Sequence, residues 1–336
     1  MISAGKFIER VTAKLLGEKY SILERVINAF EKGAQSPDIL YLGDSTTART
    51  SDNDEDARSI PDMLQDRIGE RTSMVSLSQG AYHMGIYYAI LCVLQKTRRR
   101  PRLVILPINL RSFSPQWYFQ PKYKFTSEIN LLNDYISSKS PKIRYRKRYF
   151  KLPFHEIPVN YPMTNFNKIG HFEKCIYHKD ENSALQKERR RQIFIYFYLY
   201  TLTKEHQRLI ELLNIYTLMD KLHVKVLTYV TPFNYEAGLR NLGNNVLQII
   251  TRNISIIKKA LESYRVLVLD KSSQNDERIQ GSDRICLNYS TDLDSSCFYH
   301  MESLNEHLNQ KGRVYLSENL AKIVDGMLCN SIENAE

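Results

Sequence analysis

Residues Asp38 to Ser45 read Asp-Ile-Leu-Tyr-Leu-Gly-Asp-Ser, a short apolar run closed by a glycine, an acid and a serine. Such a run bounded by a turn signal suits a buried parallel strand, and open α/β sheets place their chemistry at the C-terminal ends of those strands. Ser45 therefore stands where a nucleophile would. The same tripeptide also describes an ordinary strand-ending turn in which Ser45 caps the next helix. Three further segments follow in order: Met74-Val-Ser-Leu-Ser-Gln-Gly80, Leu103-Val-Ile-Leu-Pro-Ile-Asn109 and, far downstream, His307-Leu-Asn-Gln-Lys-Gly312. Each has a plain structural reading beside a chemical one: Gly80 as a turn, Asn109 as a loop residue bonding its own backbone, His307 as a surface residue at a helix start.

Serine, glycine, asparagine and histidine in this order resemble the SGNH, or GDSL-type, hydrolase superfamily, over roughly residues 37 to 112 and 222 to 328. The resemblance implies Ser45 as nucleophile and His307 as general base. It implies an oxyanion hole built from the N–H groups of Ser45 and Gly80 and the Asn109 amide. The chemistry needs these types: a serine hydroxyl attacks only when a base takes its proton, and an imidazole, with an ordinary pKa near ~6.5, can take and return one. The negative oxygen that forms needs N–H donors aimed at it. Glycine at position 80 removes a side chain from the carbonyl's approach and permits backbone conformations that other residues resist. Asp44 is expected to bond backbone N–H groups and fix the turn.

Two departures from the family pattern follow. The third block, Pro107-Ile-Asn109-Leu110, keeps the asparagine and lacks the Gly-x-Asn-Asp setting, and the position three before His307, where the family carries aspartate, is Leu304. Glu302, Glu306, Asp292 and Asp294 are the nearest acids. Glu302 is the chosen candidate for the third catalytic residue, because Glu306 adjoins His307 and adjacent side chains on a helix do not face each other.

The elements that must position these residues alternate. Strand-like runs within Asp38–Ser45, Met74–Gly80 and Leu103–Asn109, and at Val224–Pro232 and Val266–Asp270, are separated by helical patterns at Ile86, Ile90, Val93 and Leu94, at Leu209, Leu212, Leu213, Tyr216 and Met219, and at Val246, Ile250, Ile257 and Leu261. A last one carries Val314, Leu320, Ile323, Val324 and Met327. That alternation predicts right-handed βαβ units and a flavodoxin-like three-layer α/β sandwich with a mainly parallel sheet of five strands. The α/β core is expected over 37–112 and 205–330. Residues 1–36 read as an amphipathic helical segment expected to pack on its own domain, with a dimer contact or a membrane-surface anchor as the other readings.

Residues 113–204 form a long insertion between the third and fourth strands, expected to be a cap or specificity subdomain. Arg111 and Trp117, at its start, are candidate substrate-binding residues. It also holds Lys142–Lys151 and Arg189–Tyr200, where bases mix with aromatics. With 47 Lys and Arg against 37 Asp and Glu, the net charge is +10, and Arg98-Arg-Arg-Pro-Arg102 adds to it. Such runs are ordinarily solvated faces; if functional, they suit an anionic glycan or lipid better than nucleic acid, for which no motif is present. The five cysteines show no CxxC spacing and the eight histidines no HExxH, so neither a metal nor another cofactor is expected. With no signal-peptide pattern and no apolar span, the expectation is a cytoplasmic esterase or acyltransferase acting on a small-molecule or glycan ester, an O-acylated carbohydrate first. The opposing reading is a non-catalytic SGNH-shaped binding or scaffold protein.

Overall fold

The computed structural model describes residues 18–32, 36–50, 54–118, 123–137, 191, 194–195, 197–270, 276–301 and 306–329. Six parallel strands make one sheet in the order β2-β1-β3-β4-β6-β5. They are β1 (Ile39–Gly43), β2 (Met74–Ser78), β3 (Leu103–Ile108), β4 (Lys225–Val230), β5 (Leu267–Asp270) and β6 (Arg284–Asn288). The expected count of five is corrected to six. Arg284-Ile-Cys-Leu-Asn288 has only three apolar residues between polar ends, too few to stand out as a buried run, yet it pairs with β4 on one side and β5 on the other. The Leu267–Asp270 strand is therefore the sheet edge, and its half-exposed pattern fits that place.

Side chains along the central strands alternate between two layers, as strand geometry requires. Leu40, Leu42, Val104, Leu106, Val226 and Val230 face one core, and Ile39, Tyr41, Leu103, Ile105, Leu227 and Tyr229 face the other. The first core is covered by α1 (Glu18–Ile27), α4 (Met84–Val93), α6 (Gln207–Lys221) and α8 (Asn245–Glu262); the second by α3 (Ile60–Ile68) and α9 (Gln310–Cys329). Further helices are short or lateral, among them α2 (Ser45–Ala48), α5 (Thr126–Ser137) and α7 (Tyr235–Leu242), with one more turn of helix at Pro115–Tyr118. The result is the three-layer α/β arrangement that the alternation predicts.

Ile22, Leu23, Val26 and Phe30 of the N-terminal segment lie inside the first core. So do Phe113, Leu132, Phe194, Ile195, Tyr198, Tyr200 and Leu202, from the two described ends of the 113–204 insertion. Lys142–Lys151, and Arg189 and Arg190 of the second basic run, lie outside the described residues. Among the described residues no helix is long and apolar enough to cross a membrane, and no group of three or more His, Cys, Asp or Glu is placed to hold a metal ion.

Candidate active site

The seat of Ser45 is made by its neighbours. A Cβ at Gly43 would overlap the hydroxyls of Thr47 and Ser78, so only glycine lets β1 end this close to β2 and α2. Asp44 is the N-cap of α2: one carboxylate oxygen accepts from the Thr46 backbone N–H at 2.7 Å and from the Thr46 hydroxyl at 2.6 Å. Its other oxygen accepts from the Asn109 amide nitrogen at 2.9 Å. Burial pushes the Asp44 carboxyl above the ordinary carboxylate range, against those hydrogen bonds and the Arg111 charge. Asp44 thus holds the turn and the amide, while Ser45, half-buried, stands at the first position of α2.

His307 comes from the stretch leading into α9, and its Nε2 lies 3.1 Å from Ser45 Oγ, across 262 residues of chain. The rest of its motif is scaffolding. Leu308 is buried and bridges Phe298 in antiparallel fashion; the Asn309 side chain donates to the Ser296 carbonyl at 2.7 Å and accepts from the Gly312 N–H at 3.2 Å. A Cβ at Gly312 would come within 2.6 Å of the Cys297 carbonyl oxygen, so glycine is what allows the first turn of α9 to lie there. Buried Arg313, one residue on, reaches the Asp54 carboxylate at 2.7 Å and the Leu308 carbonyl at 3.1 Å, tying the 54–58 loop to this corner. Burial, with the charges of Arg111, Arg49 and His300, lowers the His307 pKa to about 3. The ring is therefore neutral at physiological pH and can accept the serine proton.

Asn109 follows β3 and is buried. Its carbonyl oxygen accepts from the Arg111 backbone N–H at 3.0 Å and its amide nitrogen donates to Asp44, which fixes the amide's orientation and leaves one N–H for another acceptor. Gly80 lies just beyond β2, exposed, next to Gln79, whose N–H bonds the Gly43 carbonyl at 3.2 Å. A Cβ at Gly80 would meet nothing within 4 Å. The expected need for glycine's conformational freedom there is corrected, because the left-handed residue of this turn is Ala81, at φ 68°.

Arg111 does not reach out as a free cation. Its guanidinium forms a two-pronged ion pair with Glu306 and lies over the rings of Phe197, at 4.6 Å, and Trp117, at 5.2 Å. Trp117 in turn stacks on Tyr123 at 4.2 Å between ring centres, and the Tyr198 hydroxyl donates to Glu306. Glu306 thus points away from His307, but not for the reason of helical spacing. Both residues precede α9 and lie outside any helix, and Glu306 turns to Arg111 while His307 turns to Ser45. Glu302, the chosen third residue, lies outside the described residues. Asp294 caps the Ser295–Cys297 turn through the Ser296 N–H at 2.8 Å, and Asp292 lies in the turn after β6. Glu306 and Tyr198 were missed as site residues; the sequence signal for Glu306 was its adjacency to the histidine, and for Tyr198 there was none.

No family model and no curated protein matches the chain. Among solved structures it is similar to a Streptococcus pneumonia protein named for platelet activating factor, at 11% identity and TM-score 0.38, over 95% of this chain and 98% of that one. It is also similar to the acetylxylan esterase Axe2 from Geobacillus stearothermophilus, at 10% identity and TM-score 0.37, over 85% and 93% of the two chains. A carbohydrate acetylesterase family member from Sinorhizobium meliloti aligns at 10% identity and TM-score 0.36, over 87% and 98%. The sheet order is the chain's own observation, as is the seat of Ser45 at the end of β1, with Asn109 arriving from β3 and His307 from the approach to the last helix. Those features gather a serine, an amide and an imidazole at one edge of a parallel three-layer α/β sheet.

Proposed function

We propose that the protein is a serine esterase or acyltransferase of SGNH type that works through an acyl-enzyme. The observation that carries this reading is the 3.1 Å contact between His307 Nε2 and Ser45 Oγ. In the proposed cycle Ser45 Oγ attacks the acyl carbonyl carbon as His307 takes the hydroxyl proton. The negative oxygen is met by the remaining Asn109 N–H and by the backbone N–H groups of Ser45 and Gly80. Collapse breaks the ester bond, and His307 returns the proton to the departing alcohol oxygen. Water or an acceptor hydroxyl then attacks the acyl-serine, with His307 again taking and returning a proton.

An O-acylated carbohydrate is the substrate class proposed. Support for it comes from the aromatic group of Trp117, Tyr123 and Phe197 gathered around Arg111 at the start of the insertion, since flat rings suit sugar faces. The test is release of the acyl group from an O-acetylated oligosaccharide beside turnover of a short nitrophenyl ester. Both are expected in the native chain, and Ser45→Ala and His307→Ala are expected to lose about 10⁴-fold or more in kcat. Native turnover in either variant would refute the reading; turnover of the nitrophenyl ester alone would refute the sugar assignment only.

A further inference from the structure

The candidate site closes on itself through one ionic joint. Ser45 follows Asp44 in the chain; Asp44 accepts from the Asn109 amide at 2.9 Å; Asn109 accepts from the Arg111 N–H at 3.0 Å. The Arg111 guanidinium grips Glu306 with two nitrogens, Glu306 precedes His307, and His307 returns to Ser45 at 3.1 Å. Three of these links are hydrogen bonds close in space and two are chain neighbours. The Arg111–Glu306 pair is a buried ionic link between the half of the site built from the first three strands and the half carrying the imidazole.

That joint is built for a fixed geometry. The Glu306 side chain is 1% exposed and that of Arg111 16%. Tyr198 adds its hydroxyl to the carboxylate and is itself buried, stacked on Phe233 at 5.1 Å between ring centres. The guanidinium is flanked by Phe197 and Trp117, and a two-pronged pair sets angle as well as distance. In the sequence, Leu304 occupies the position from which an aspartate would orient the histidine.

We propose that Arg111 and Glu306 are positioning residues, whose ion pair sets where His307 stands relative to Ser45 and Asn109. The proposal rests on the reading of Ser45 and His307 as nucleophile and base. The pair also has an electrostatic consequence. Arg111, Arg49 and His300 all oppose protonation of the imidazole, and Glu306 pairs with Arg111. Tyr299, whose ring lies 6.1 Å from the imidazole between centres, adds a phenol.

The test uses the full chain, with Ser45 titrated by an organophosphonate so that kcat is expressed per reactive serine. Glu306→Gln and Arg111→Lys are expected to lower kcat about 10²-fold with KM little changed, since a misplacement of the base by a fraction of its hydrogen-bond length costs that order of rate. Arg111→Lys keeps the charge and loses the fork, so the acid limb of its kcat profile stays where the native one lies. Arg111→Met removes the cation and moves that limb to higher pH. A merely structural role would thin the population of reactive serines and move neither quantity. Should the single variants fail to fold, the paired Arg111→Met/Glu306→Leu replacement exchanges the buried ion pair for apolar bulk, and it too is expected to lose kcat. Native kcat per reactive serine in these variants, with an unmoved acid limb in Arg111→Met, would overturn the proposal alone. A native chain whose Ser45 never reacts would overturn the nucleophile reading, and this proposal with it.

Discussion

The two ends of the sheet use the same kinds of residue to opposite effect. At the N-terminal ends of the strands, Arg102 donates to the Leu328 carbonyl at 3.0 Å and pairs with Asp38 at 3.7 Å, Lys225 donates to the Met327 carbonyl at 2.8 Å, and Arg98 pairs loosely with Glu31 at 3.8 Å. These cations stop helices and close the bottom of the sheet, and the Arg98 side chain is 87% exposed. At the C-terminal ends, Arg111 and Arg313 are taken out of water and matched to Glu306 and Asp54. The difference lies in what the solvent can replace. An exposed pair is shared with water, so its loss costs little, whereas a buried pair leaves a stranded charge when one partner goes. The basic run Arg98–Arg102 therefore lies at the fold's lower edge, whereas the Arg111–Glu306 pair beside the candidate site is buried.

That contrast can be broken or sharpened by measurement. The largest effect is expected at the upper end. Asn109→Ala removes the proposed oxyanion donor and also the partner of the buried Asp44 oxygen, and kcat should fall about 10²- to 10³-fold. An unchanged kcat for a nitrophenyl ester would place the oxyanion elsewhere. The next effect is on stability. Burial, above all, lowers the pKa of His307 and of His83 to about 3 and that of His206 to about 4. The unfolded chain protonates these rings near their ordinary ~6.5, so between that value and the native ones it binds more protons than the fold does. Stability is therefore full above about pH 6.5 and is lost as pH falls below it, on the order of 1 kcal/mol per pH unit for each ring. Denaturant midpoints taken down this window, with His206→Asn expected to flatten the slope, check it; midpoints that hold level through the window would contradict it. The smallest effect belongs to the lower end. Arg98→Ala should cost about 0–1 kcal/mol in a denaturant melt and leave kcat unchanged.

How much of this was legible in the chain follows the same division. Gly43-Asp44-Ser45, Asn109 and His307 could be found because each stands where an apolar run stops or a helix begins, and residue type at such an end is a local signal. The sheet's parallel core was legible for the same reason. The sixth strand was not, since Arg284 and Asn288 leave only Ile285, Cys286 and Leu287 as an apolar run, and its membership depends on β4 and β5 lying to either side. Glu306 lies before α9, so helical spacing does not describe how it and His307 are turned. Its partner Arg111 lies 195 residues away, a pairing that only the fold creates. Position 80 was marked for a glycine's backbone freedom, but that freedom is exercised by Ala81.

Mass mapping after exposure to an organophosphonate reads directly whether Ser45 is an activated nucleophile. The expected result is one adduct per chain, on Ser45, formed quickly at neutral pH and lost in His307→Ala. A native chain that stays unlabelled, or is labelled at another residue, would contradict it.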